Sequence, residues 1–260
     1  MKLTQYVVDA FTANIFGGNT AAIIVLENWL DEKLMQQIAA ENNLSETAFV
    51  VKENDDYRIR WFTPLSEINL CGHATLASAH ILYNHLNYDK PQINFQSKSG
   101  LLKVSRNNNL LTLDFPTDVL KEISLTLEMK TAFKITPQKA LEGKNIVLLV
   151  FANQTEIENL NPDFDLIKNI HPHGIICTAK GNEVDFVSRC FYPNFGVNED
   201  PVTGSAHTAL PVYWATLLNK NKFSALQLSK RKGELWCELI NDRALISGNA
   251  VTFLKAVIDF

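Results

Sequence analysis

Residues 67–78 read EINLCGHATLAS, a Cys-Gly-His step directly in front of a run of small, helix-forming residues. Glycine lets the backbone turn there, and the N–H groups of a first helical turn have no partner inside the helix. The spacing therefore predicts a helix that opens at Gly72 with a mouth able to hold an anion. Ordinary capping would give the same local pattern, so a second observation has to decide. The chain supplies it by repeating itself. Residues 199–210 read EDPVTGSAHTAL, and a shift of 132 positions lays Glu67 on Glu199, Cys71 on Thr203, Gly72 on Gly204 and His73 on Ser205. Upstream, Arg60-Trp61-Phe62-Thr63-Pro64 is echoed by Arg189-Cys190-Phe191-Tyr192-Pro193 at a shift of 129. Echoes in the same order, about half a chain apart, point to a duplicated unit running strand, loop, glycine turn, helix.

The chain has 260 residues, 46% hydrophobic and 20% charged, with a formal net charge of −4. That is globular composition, and two lobes of half its length would be ordinary domains. The charge gives no reason to approach nucleic acid or an anionic membrane. The longest apolar run, IVLLVFA at 146–152, is too short to span a bilayer, and the start shows no signal peptide, so a cytoplasmic protein is expected. The four cysteines form no C-x-x-C pair, and the six histidines stand beside no acid or thiol at ligand spacing, so no metal is implied.

Alternation and turn residues predict a hairpin over 3–26, with Gly17-Gly18-Asn19 in its turn. An amphipathic helix follows at 31–42, then strands at 46–52 and 57–63. The helix after Gly72 is apolar and small nearly all round, which suits a helix wrapped by strands. Strands near 92–97, 101–105 and 110–115 follow, and Pro116 closes a first lobe, residues 1–116. The second lobe, 117–260, repeats the theme around a helix after Gly204, with Pro211 inside that helix as a kink or interruption. Its C-terminal strands are free to cross back to the first lobe. The fold class is α+β.

The stretches VDAFTANIFGGNTAA, NLSETAFV, RWFTPLSEINLCGHATLASA and EDPVTGSAHTAL together resemble the phenazine-biosynthesis isomerase (PhzF-like) family, which shares its fold with diaminopimelate epimerase. The resemblance implies two pseudo-symmetric lobes, each a β-barrel-like sheet wrapped around a central helix, with the active site in the cleft between them. It further implies a homodimer that uses no cofactor and acts on a small carboxylated metabolite.

By the same resemblance Glu46 is the proton shuttle, and Leu44 and Phe49 are expected to shield its carboxylate. His73 and Asp200 are the other catalytic groups, and Asn19, Gly72, His73, Gly204 and Ser205 are expected to bind substrate. Without the resemblance these residues read as a strand-end acid, a capping histidine, a helix-start acid and turn residues. Diaminopimelate epimerase-like enzymes use two opposed cysteines, one on each turn. Here the first position is Cys71 and the second is Thr203, whose hydroxyl is too weak an acid to replace a thiol. Carboxylate acid/base catalysis is the expected route. The residues leave open an epimerase of an amino-acid-like substrate, or a non-catalytic protein that binds a metabolite or partner.

Overall fold

A computed structural model describes residues 2–259. The chain divides into two compact units, one holding the residues up to Asp114 together with the segment from Ser247 onward, the other Phe115–Ile246.

The first unit starts with β1 (Lys2–Ala10) and β2 (Asn19–Leu26), an antiparallel pair in which Ala10 faces Asn19. The loop between them is held from inside. Asp9, buried in β1, accepts the Phe16 N–H at 2.9 Å and the Thr20 hydroxyl at 2.6 Å. Helix α1 (Glu32–Asn42) is capped by the Asp31 side chain on Lys33 N and closed by Asn43 in a left-handed conformation. It leads to β3 (Glu46–Glu53), parallel to β2, and β4 (Asp56–Phe62), antiparallel to β3. The short β5 (Glu67–Ile68) pairs back on β4 and delivers the chain to α2 (Gly72–His85). After α2 come β6 (Gln92–Ser97), β7 (Gly100–Asn107) and β8 (Leu110–Pro116), with β6 parallel to β4 and the rest antiparallel.

Strand alternation sends the two sheet faces to different helices. On one face Ile24, Phe49 and Val51 pack with Met35 and Ile38 of α1. The other face meets α2, which is buried from His73 through Ala79 and touches β1, β2, β3 and β7. A helix with no polar side must be enclosed, and here strands enclose it.

The second unit repeats this path. It opens with β9 (Lys121–Ile123), α3 (Leu127–Thr131), β10 (Lys139–Glu142) and β11 (Val147–Val150). The outer helices α4 (Gln154–Glu158) and α5 (Phe164–Ile170) stand where α1 stands in the first unit. Then β12 (Ile175–Lys180) runs parallel to β11, and β13 (Phe186–Tyr192) antiparallel to β12. The short β14 (Val197–Asp200) pairs back on β13, as β5 does on β4. Helix α6 (Leu210–Leu218), the counterpart of α2, precedes β15 (Lys222–Gln227), parallel to β13, and β16 (Gly233–Ile240). Parallel, antiparallel, back-paired and parallel again, the strand relations match one for one, as the sequence echoes require. After β17 (Arg243–Gly248) the last strand, β18 (Ala250–Asp259), returns to pair with β1, as β9 pairs with β10.

The second central helix differs from expectation. Residues 205–208 form a 3₁₀ turn, and α6 begins only at Leu210, with Pro211 in its first turn. Proline inside a continuous helix would cost a hydrogen bond and clash with the preceding turn, whereas at a helix start its missing N–H costs nothing. The helix therefore restarts at the proline rather than kinking through it. Trp214 anchors it, stacked on Phe186 at 6.0 Å with its Nε1–H on Thr178 Oγ1 at 3.1 Å.

Candidate active site

Three elements bring Asn19, Glu46, Cys71 and His73 together. Asn19 is the first residue of β2, Glu46 the first of β3, and Cys71 caps α2 without a side-chain cap bond. Because β2 and β3 are parallel, with Ala21 opposite Glu46, their starting residues lie at the same end of the sheet, beside the N-terminus of α2.

His73 is buried, and its Nε2 lies 2.9 Å from Glu46 Oε2. That approach falls outside hydrogen-bond alignment, and neither atom has another hydrogen-bond partner. Each atom is thus the other's only polar neighbour among the described residues, and the two form an ion pair when the ring is charged. On the other side of the ring, Asn19 Nδ2 stands 3.2 Å and Cys71 Sγ 3.5 Å from Nδ1. In that arrangement Nδ1 accepts, which puts the neutral ring's proton on Nε2, toward Glu46. A turned amide would present the Asn19 oxygen instead and accept from a charged ring.

Burial opposes charge on His73, but Cys71 and Glu46 beside it outweigh burial and hold its pKa well above the ordinary imidazole value. The Cys71 thiol is pushed up by burial and then by Glu46, so it stays a neutral thiol. Glu46, 2.9 Å away, is a further cause of the rise at His73, after Cys71. Glu46, Cys71 and His73 each bring one donor atom within 4.8 Å of the others, the only such trio among the described residues. An ion held there would need the Cys71 thiol to ionise, against the direction set by burial and Glu46.

One local expectation is corrected. Phe49 does not shield Glu46, because an odd spacing along a strand puts the two on opposite faces, and Phe49 packs toward α1. Neither glycine takes a left-handed conformation. Gly72 is not among the positive-φ residues, and Gly204 has φ −56° and ψ −45°.

Asp200, Gly204 and Ser205 lie in the second unit, where Asp200 ends β14 and Ser205 is exposed on the 3₁₀ turn. The Thr203 hydroxyl donates to Asp200 Oδ2 at 2.5 Å. Gln227, fully buried on β15, clamps the same turn. Its Oε1 accepts Thr203 N–H at 2.8 Å, and its Nε2 donates to the Asp200 carbonyl at 2.8 Å and to Thr203 Oγ1 at 3.2 Å. Sequence reading passed over Gln227, and nothing marks it, because its partners are largely backbone groups. The duplicated Arg and Glu were legible as a repeat but not as a contact. Arg60 grips Glu67 through Nε and Nη2 at 2.8 Å each, and Arg189 grips Glu199 at 2.7 and 2.9 Å. Each guanidinium also lies over a ring two residues on, Phe62 at 5.2 Å and Phe191 at 5.3 Å. The echoed glutamates thus tie each glycine turn to its strand.

No helix among the described residues is long and apolar enough to cross a membrane. The sequence pattern of the phenazine biosynthesis-like protein family matches residues 8–256. An uncharacterized isomerase of Pseudomonas aeruginosa is 47% identical over 96% of both chains. A crystal structure of a PhzF-family phenazine biosynthesis protein from Enterococcus faecalis superposes with a TM-score of 0.98 at 44% identity, covering 100% of both chains. A hydroxyproline epimerase from Agrobacterium vitis shares the fold alone, with a TM-score of 0.62 at 10% identity over 99% of this chain and 92% of that one. On its sequence, its duplicated sheets and these likenesses, the chain belongs to the phenazine biosynthesis-like, or PhzF, family.

Proposed function

We propose that the protein is an isomerase whose Glu46 takes a proton from a carbon next to an electron-withdrawing group of a small carboxylated metabolite and returns it to the same molecule. The observation that carries this reading is the buried Glu46–His73 contact at 2.9 Å, in which neither facing atom is otherwise satisfied. In the first step the C–H bond breaks, its proton passes to the Glu46 carboxylate, and its electron pair moves into the electron-withdrawing group. In the second the proton leaves Glu46 for carbon and the carboxylate is restored. The positive charge of His73, beside Glu46, offsets the negative charge that develops on substrate. The α2 N-terminus, opened by Gly72, favours that charge or the substrate carboxylate.

The names of the similar proteins support isomerase chemistry, and the fold shared with an epimerase supports a carbon acid as substrate. Asp200, Gly204 and Ser205 enter by family resemblance as further groups for substrate, and a homodimer is the expected assembly. Turnover of a panel of small carboxylated metabolites by wild type and Glu46→Gln tests the assignment. The variant is expected to lose about 10²–10⁴-fold in kcat. Equal turnover by both proteins would overturn it. Product configuration separates a proton moved between carbons from inversion at one centre.

A further inference from the structure

We infer that the first unit carries a second binding site, for a small organic anion bearing hydroxyl groups, against the far half of α2. A cavity of ≈ 280 Å³ opens there, lined by His80 and Asn84 of α2, Arg106, Asn108 and Asn109 of the β7–β8 hairpin, and Asn249 ahead of β18. It shares no residue with the Glu46–His73 site, and His80 lies about 10 Å along the helix from His73.

The lining has one sign of charge. None of its residues is a carboxylate. Arg106 rests over the Tyr83 ring at 5.1 Å and reaches Asn84 Oδ1 at 3.5 Å, and among the described residues no acid pairs with it. His80 adds no charge. Asn84 Nδ2 donates to its Nδ1 at 2.9 Å, which leaves the proton on Nε2, 2.9 Å from Thr252 Oγ1. Burial, with His85 and Arg106 nearby, keeps that imidazole near pKa 4 and hence neutral. The carboxamides of Asn108, Asn109 and Asn249 spend no side-chain hydrogen bond on the protein among the described residues.

This combination selects a ligand class. A guanidinium without an acid offers forked donors that match a carboxylate or phosphate. A carboxamide both donates and accepts, which matches hydroxyl groups rather than apolar surface. The volume lies just below the usual range for ligand pockets, so the ligand is small. Phosphorylated polyols and hydroxy acids share this chemistry.

Titrating the full-length chain with glycerol 3-phosphate, citrate and inorganic phosphate at fixed ionic strength tests the site. Calorimetry gives the affinity, and NMR of the asparagine side-chain amides locates it. A hydroxylated anion should bind saturably and shift the Asn84, Asn108 and Asn109 signals. Arg106→Gln and Asn109→Ala should each weaken it, the arginine change at least tenfold, while Glu46→Gln leaves it unchanged. Citrate binding without glycerol 3-phosphate assigns the hydroxy acids, and the reverse assigns the phosphorylated polyols. The proposal fails if neither hydroxylated anion saturates, if inorganic phosphate binds as tightly as they do, or if Arg106→Gln leaves affinity intact. It fails equally if Glu46→Gln abolishes binding.

Discussion

Cys71 stands 3.5 Å from the His73 imidazole, yet burial and Glu46 both hold it as a thiol, the reverse of what a thiolate base requires. Cys71→Ser should therefore keep about the wild-type turnover, measured with the same metabolite panel, whereas a two-thiol racemase would lose nearly all of it. His73 behaves oppositely. Its folded pKa is raised above the unfolded value, so the stability it contributes is fully present below the unfolded value, about 6.5, and is lost only as pH climbs through the raised one. An NMR titration of the His73 ring should show it charged at neutral pH, and Glu46→Gln should bring its midpoint down. An unchanged midpoint would remove Glu46 as a cause. At this scale the sequence was informative about which residues matter and less so about what surrounds them. Glu46 and His73 come from motifs, but that Phe49 turns away from Glu46 follows only once the strand's alternation is applied. Two of the three Gln227 bonds go to backbone, so no pattern of side chains marks it.

At the scale of elements, each glycine turn is tethered to a strand by an Arg–Glu fork with little exposure, 12% and 23% for the Arg189 and Glu199 side chains. The Arg189 guanidinium also donates to the carbonyls of Ile157 and Leu160, so removing its acid leaves it half-paired. Glu199→Gln is expected to cost about 1–3 kcal/mol in urea unfolding, against roughly 0–1 for breaking the exposed Lys2–Asp259 pair. Similar costs for both would mean that the fork is ornamental. The helix after Gly204 shows how far an element can be read. Pro211 announced a break, but the 3₁₀ turn before it depends on where the chain must restart to satisfy its N–H groups. The short helices α3, α4 and α5 are too brief for periodicity to reveal.

For the whole molecule, duplication is the organising fact, and it was legible because a repeated strand path needs repeated turns. The same pairing completes each unit, β18 on β1 and β9 on β10. Acid should find a weak point in the second half. His207 is fully buried, stacked at 6.0 Å on Phe186, and its Nδ1 donates to the Thr203 carbonyl at 2.9 Å. Burial lowers its pKa to about 4. A lowered histidine value favours the fold above the unfolded pKa, and that stability is lost as pH falls from about 6.5 toward 4, by roughly 3 kcal/mol from this residue. Urea unfolding of wild type and His207→Gln between those pH values should show a slope that the variant lacks.

The central claim, that Glu46 carries the proton, is tested most directly by running the reaction in deuterated water and reading the label in the product. Wild type should place deuterium at the carbon that receives the proton, and Glu46→Gln should incorporate about 10²–10⁴-fold more slowly. Equal incorporation by the two proteins would contradict it.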